Sequence, residues 1–78
     1  MPFEDLLSPH AVRRAKKHNA PVDLMELTYV EPDYTRPSND DLDRLIHGRY
    51  FGSLLIELVI DTIDGRVVSV WIKERGGE

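Results

Sequence analysis

The chain has 78 residues, a net charge of −4 and no cysteine, which leaves room for one hydrophobic core and excludes a disulfide framework and a thiolate metal site. The longest apolar run, Leu54 to Ile60, is broken by Glu57 and is far too short to span a bilayer. The start, Met1-Pro2-Phe3-Glu4-Asp5, carries acids where a signal peptide carries bases, so a cytoplasmic chain without a leader is expected.

Charge is unevenly spread. Residues 1–22 carry +2, residues 23–64 carry −7 and residues 65–78 carry +1. Overall acidity argues against DNA and against non-specific nucleic-acid binding. The basic N-terminal segment, with Arg13 and Lys17, keeps a local phosphate contact open, and Arg36 is added to that candidate RNA-binding set. The plain alternative is a solvated helix face.

The first structural signal is Ser8-Pro9, a good N-cap followed by a residue that needs no amide donor in the first turn. A helix is predicted from Pro9 to His18, with Ala11, Val12 and Ala15 as its apolar stripe. Asn19 follows, and asparagine tolerates the left-handed conformation that ends helices. Ala20-Pro21 opens a second helix over about 21–28, with Val22, Met25 and Tyr29 on one side and Leu24 and Leu27 widening it. The two form an αα-hairpin. Glu31-Pro32 ends the second helix.

Asp33 to Arg36 reads as a short edge strand, and Pro37 to Asp41 as a turn-rich acidic loop, the segment expected to be most mobile. Leu45 to Phe51 reads as a strand in which Gly48 marks a bulge or a close backbone approach. Gly52-Ser53 is a turn, Leu54 to Thr62 the central strand, Arg66 to Glu74 the last strand and Gly76-Gly77-Glu78 a frayed tail. A single domain over 1–78 results, with an ordered core at 8–74.

Alternation sets the register of the last hairpin. A two-residue Asp64-Gly65 turn would leave both faces mixed. A three-residue loop with Gly65 in the left-handed bulge position sets Thr62 opposite Arg66. It places Leu54, Ile56, Leu58, Ile60, Val68, Val70 and Ile72 on one face, and Glu57, Val59, Asp61, Ser69, Trp71 and Lys73 on the other. A one-residue slip would reverse every side chain, which favours the bulged form. The fold class is therefore α+β, an N-terminal αα-hairpin packed on one face of an antiparallel β-meander with 3–4 strands. Trp71 and Val59, with Leu55, then make an apolar patch on the open face, a candidate site for a protein partner or for self-association unless segment 31–43 folds over it.

Ser8-Pro9-His10-Ala11-Val12-Arg13-Arg14, the helix break at Asn19, the proline at Pro32, the Asp64-Gly65 turn and the late Trp71 resemble a small bacterial domain of uncharacterised function grouped with the BrnT and RelE-like ribonuclease toxins. The resemblance covers roughly residues 8–74. It implies a metal-independent endoribonuclease, the toxin of a toxin–antitoxin pair, with RNA as substrate and a cognate antitoxin as partner. Such cleavage needs a base for the 2′-hydroxyl, a cation at the phosphate and an acid for the leaving oxygen. His10 and Arg14 share a side of the first helix at i, i+4 spacing. They are expected to converge with Arg49 on a phosphate, with His47 or Tyr50 moving the proton. The alternative for each is a structural role. Arg14 could pair with an acid such as Glu31, and Arg49 with Glu57 or Asp61 across the strands.

Other constellations end sooner. His10, His18 and His47 are not spaced as metal ligands, no Gly-rich phosphate loop precedes a helix, and no serine sits in a nucleophile elbow. No metal and no organic cofactor is expected.

Overall fold

The computed structural model describes residues 2–39 and 43–74. A short 3-10 helix at Phe3–Leu6 leads into α1 (Pro9–Lys17) and α2 (Val22–Val30). Strands β1 (Tyr34–Pro37), β2 (Arg44–Phe51), β3 (Leu54–Asp61) and β4 (Val67–Glu74) follow. They form one antiparallel sheet in the order β1-β2-β3-β4. α1 lies along β4, and α2 crosses β3 and β2. Two N-terminal helices thus cover one face of an antiparallel meander, as the patterning predicts. No helix is long and apolar enough to cross a membrane.

The helix boundaries follow from local chemistry. The Ser8 hydroxyl accepts from the Ala11 amide at 3.1 Å, and Pro9 occupies the first turn. At the other end Asn19 has φ +55, the Asn19 amide donates to Lys16 O at 3.2 Å, and the Ala20 amide reaches back to Ala15 O at 2.8 Å. This paired closure satisfies carbonyls that the end of a helix would otherwise leave open. Arg14, Lys16 and Lys17 in the last turn complement the helix dipole. α2 extends to Val30, beyond the expected residue 28, because only Glu31 is constrained by Pro32. Glu31 leaves the helix at φ −134, while its amide still donates to Leu27 O at 2.8 Å.

The core gathers Phe3, Leu7, Ala11, Ala15, Met25, Ile56, Leu58, Ile60, Val67 and Val70. Each large side chain in it contributes about 1.5–3 kcal/mol relative to exposure. Thr28 is fully buried among them, its hydroxyl donating to Leu24 O at 2.8 Å. The ordered core begins before the expected residue 8. Phe3 meets the Tyr29 ring edge-on at 5.6 Å, Leu7 bridges to Val67, and the Ser8 amide donates to Val67 O at 2.9 Å. The expected frayed tail Gly76–Glu78 lies outside the described residues, and so does part of the expected acidic loop, at 40–42.

The β3–β4 hairpin has the expected register through most of its length. Ile56 faces Ile72, Leu58 faces Val70, and Glu57 faces Trp71. Near the turn the register moves by one, so Ile60 pairs with Val67 in place of Val68. Val67 is fully buried as a result, and Val68 only half-buried. The connection spans Thr62 to Arg66 rather than three residues, and the Asp61 amide closes it on Arg66 O at 2.8 Å. The Asp61 carboxylate accepts from the Ile63 amide at 2.8 Å, the Asp64 carboxylate from the Arg66 amide at 3.0 Å, and Gly65 takes φ +77. Side-chain caps thus hold the turn, and the extra residue sits inside β4 as a bulge.

The second face departs from its expected wet character. Ile46, Leu55 and Glu57 are buried there. The described residues of segment 31–43 do not fold over this face as a loop. Its residues 34–37 add to the sheet as an edge strand beyond β2, and the Tyr34 and Arg36 side chains reach across the face to Glu57.

Candidate functional site

The residues of the expected nuclease site fall into two places. His10, Arg13 and Lys17 are exposed along α1. Arg14 reaches the free edge of β4, where its Nε donates to Val70 O at 3.0 Å and its guanidinium stands 4.0 Å from the centre of the Trp71 ring. With the Ser8 hydroxyl donating to Val68 O at 3.3 Å, this contact covers the outward carbonyls of an edge strand.

His47 and Arg49 lie on β2, facing α2. His47 Nδ1 donates to Tyr29 O at 3.0 Å, and Arg49 Nη1 donates to Glu31 O. Both acceptors belong to the C-terminal end of α2, where open carbonyls and the negative pole of the helix favour donors and cations. Tyr50 points to the opposite face, 41% exposed. β3 lies between the partners of Arg14 and those of Arg49. The structure therefore does not bring Arg14 and Arg49 together at one phosphate-sized point, and Tyr50 is on the wrong side of the sheet to join His47.

A different constellation assembles on the open face. Tyr34, Gly48, Glu57 and Trp71 form one row across β1, β2, β3 and β4. Gly48 has no side chain, and the Tyr34 ring occupies that space: a β-carbon on Gly48 would stand 2.1 Å from Tyr34 Cζ. This is the close approach that a glycine inside a strand marks. By crossing Gly48, the Tyr34 hydroxyl donates to Glu57 Oε2. Lys73 Nζ stands 3.1 Å from Glu57 Oε1, and Arg36 Nη2 3.4 Å from Oε2. The Glu57 side chain is 6% exposed, whereas those of Arg36 and Lys73 are 45% and 58% exposed. A buried carboxylate thus organises two cations that remain open to solvent.

Ionisation is locked on both partners of the hydrogen bond. Burial, the hydrogen bond to Glu57 and the Glu57 charge push the Tyr34 phenol up to about 12. Burial alone would raise the Glu57 carboxyl, but the hydrogen bonds from Tyr34 and Lys73, and the charges of Lys73 and Arg36, hold it below its ordinary 4.5. Near neutral pH these shifts favour a neutral phenol and a charged carboxylate, the forms that keep the hydrogen bond between them.

The pair forms the floor of a cleft of about 270 Å³ lined by Arg36, Ile46, Glu57, Trp71 and Lys73. Trp71 is 46% exposed at its margin. Val59 is half-buried one row away, beside Ile46, and Tyr50 packs against the Tyr34 ring at 6.0 Å. Of the expected sites, the Trp71–Val59 patch and Arg36 meet here. Tyr34, Glu57 and Lys73 were not singled out as site residues from the sequence. Their signal was present in three facts: a glycine inside a strand, a tyrosine able to cross it, and a glutamate interrupting an apolar run.

Among the described residues no group of three or more His, Cys, Asp or Glu side chains could hold a metal ion. Comparison with protein-family models, with curated proteins and with solved structures finds no match to this chain.

Proposed function

We propose that this chain is a non-catalytic binding module whose working surface is the open sheet face, and that its occupant is a different protein. The observation that carries this reading is the exposed Trp71 beside a cleft in which Arg36 and Lys73 are held in place by the buried Glu57. Aromatic and arginine side chains at the centre of a preformed pocket are the groups that dominate protein interfaces. A second copy of the chain fits this face poorly. A two-fold interface centred here would bring two copies of the Arg14, Arg36 and Lys73 cluster together, with like charges opposed.

The competing reading is the ribonuclease that the family resemblance implies. It draws on Arg14, His47 and Arg49, each of which is engaged with a backbone carbonyl. The two readings part in a growth assay. Induced expression in a bacterium is expected to leave growth unchanged, and the purified chain to leave cellular RNA intact. Growth arrest relieved by His10→Ala or Arg49→Ala, with the variants still folded by circular dichroism, would overturn the module reading.

A further inference from the structure

Resting on the open-face reading, we infer that the cleft beside Trp71 takes an acidic segment of the partner, an extended stretch whose carboxylates pair with Arg36 and Lys73 and whose intervening apolar side chains pack on Trp71 and Ile46.

Charge comes first. Among the described residues, three cations, Arg14, Arg36 and Lys73, stand around Trp71 against the carboxylate of Glu57. This positive patch sits on a chain of net charge −4, so it is a local feature and not a reflection of composition. Glu57 takes up part of the donor capacity of its two cations. An ammonium has three donors and a guanidinium five, so both keep donors for a second anion. Glu57 also fixes their positions before binding, which lowers the ordering cost at the interface.

Shape and surroundings select among anions. The cleft is walled by Ile46 and Trp71, which fits a ligand that is partly apolar. A nucleic-acid strand running along the sheet would leave the patch at Asp61 on one side, which lies opposite Arg44 in the strand register, and at Asp33 on the other, which accepts from the Tyr50 amide at 2.8 Å. Asp33 opposes a continuous polyanion at its end, while Asp61 stands beside Arg44. A short acidic segment meets only the positive centre. Strand addition at the sheet edges is restricted as well, since Arg14 and Ser8 cover the β4 carbonyls and β1 is a four-residue strand ending in Pro37.

Trp71 is the only tryptophan in the chain, so its emission reports this site directly. The full chain is titrated with a blocked peptide of alternating glutamate and valine, with the same peptide carrying glutamine for glutamate, and with oligouridylate. The glutamate peptide is expected to shift the emission saturably, while the other two leave it unchanged. Arg36→Gln and Lys73→Gln should each weaken that response by about tenfold, and Arg36→Lys should recover part of it. Circular dichroism checks that each variant is folded. A shift with oligouridylate and none with the glutamate peptide overturns the acidic-segment inference and the protein occupant, and leaves only the open face as the working surface. Equal shifts with glutamate and glutamine peptides also overturn it, because charge would then play no part. Silence with all three ligands, together with a dimer in sedimentation that Trp71→Ala abolishes, overturns both.

Discussion

Gly48→Ala is expected to destabilise the protein by roughly 3 kcal/mol, combining overpacking with the loss of a partner for a buried polar group. For a domain of this size that corresponds to a fall of more than about 10 °C in thermal midpoint. The added β-carbon would stand 2.1 Å from Tyr34 Cζ and 2.4 Å from its hydroxyl oxygen. The ring must leave the face, and Glu57 then loses the hydroxyl that donates to it. A second variant isolates the cause. In a Tyr34→Ala background the space over residue 48 is empty, and Gly48→Ala should become neutral or stabilising by about 0.5–1 kcal/mol, since alanine restricts the unfolded chain more than glycine does. A reversal of sign between the two backgrounds, read by urea denaturation, identifies Tyr34 as the reason for the glycine. Equal effects in both would show that the ring does not lie across it.

Glu57→Ala is expected to cost about 2–3 kcal/mol. Breaking a buried ion pair costs more than this when both partners are buried, but here Arg36 and Lys73 are half-exposed and return to water. Glu57→Gln keeps an acceptor for Tyr34 and should cost less. The two differ from the wild type in their dependence on pH as well. The Glu57 carboxyl is held below its ordinary 4.5 when folded, so its contribution is fully present above that value and disappears as pH falls through the depressed folded value. The stability gap between wild type and Glu57→Gln should therefore be widest near neutral pH and narrow on acidification. At the alkaline end the sign is opposite. The Tyr34 phenol is raised from 10.0 to about 12, so the neutral form it favours stabilises the fold below pH 10 and is lost as pH climbs towards 12. Tyr34→Phe removes that limb. Denaturant midpoints measured across both ranges check each sign.

These two variants also mark where the sequence speaks and where it falls silent. Ser8-Pro9, Asn19 and the Asp64-Gly65 turn act through local backbone chemistry, and they fold as their identities require. The alternation of β3 against β4 carries the core face because burial of one face selects the register. The adjacent Val67 and Val68 defeat alternation, since both are apolar and either could face inward. The choice falls to Val67 through its bridge to Leu7, a contact 60 residues apart in the chain. Phe3 and Leu7 lie in and beside a turn too short to show any periodicity.

Glu57 is the clearest case of a residue that pattern alone misreads. A glutamate in a strand is assigned to the wet face, and here it faces that side of the sheet yet is 5% exposed. Its burial depends on a tyrosine 23 residues earlier passing over a glycine in the strand between them. His47 and Arg49 show the converse, since the carbonyls they meet are those at the end of α2, a contact invisible until the helix is laid on the sheet.

The most direct test of the open-face account is amide and side-chain NMR of the labelled chain titrated with the glutamate–valine peptide. Shifts are expected to cluster at Arg36, Ile46, Val59, Trp71 and Lys73. Shifts centred instead on His10, His47 and Arg49, or no localised shifts at saturating peptide, would contradict it.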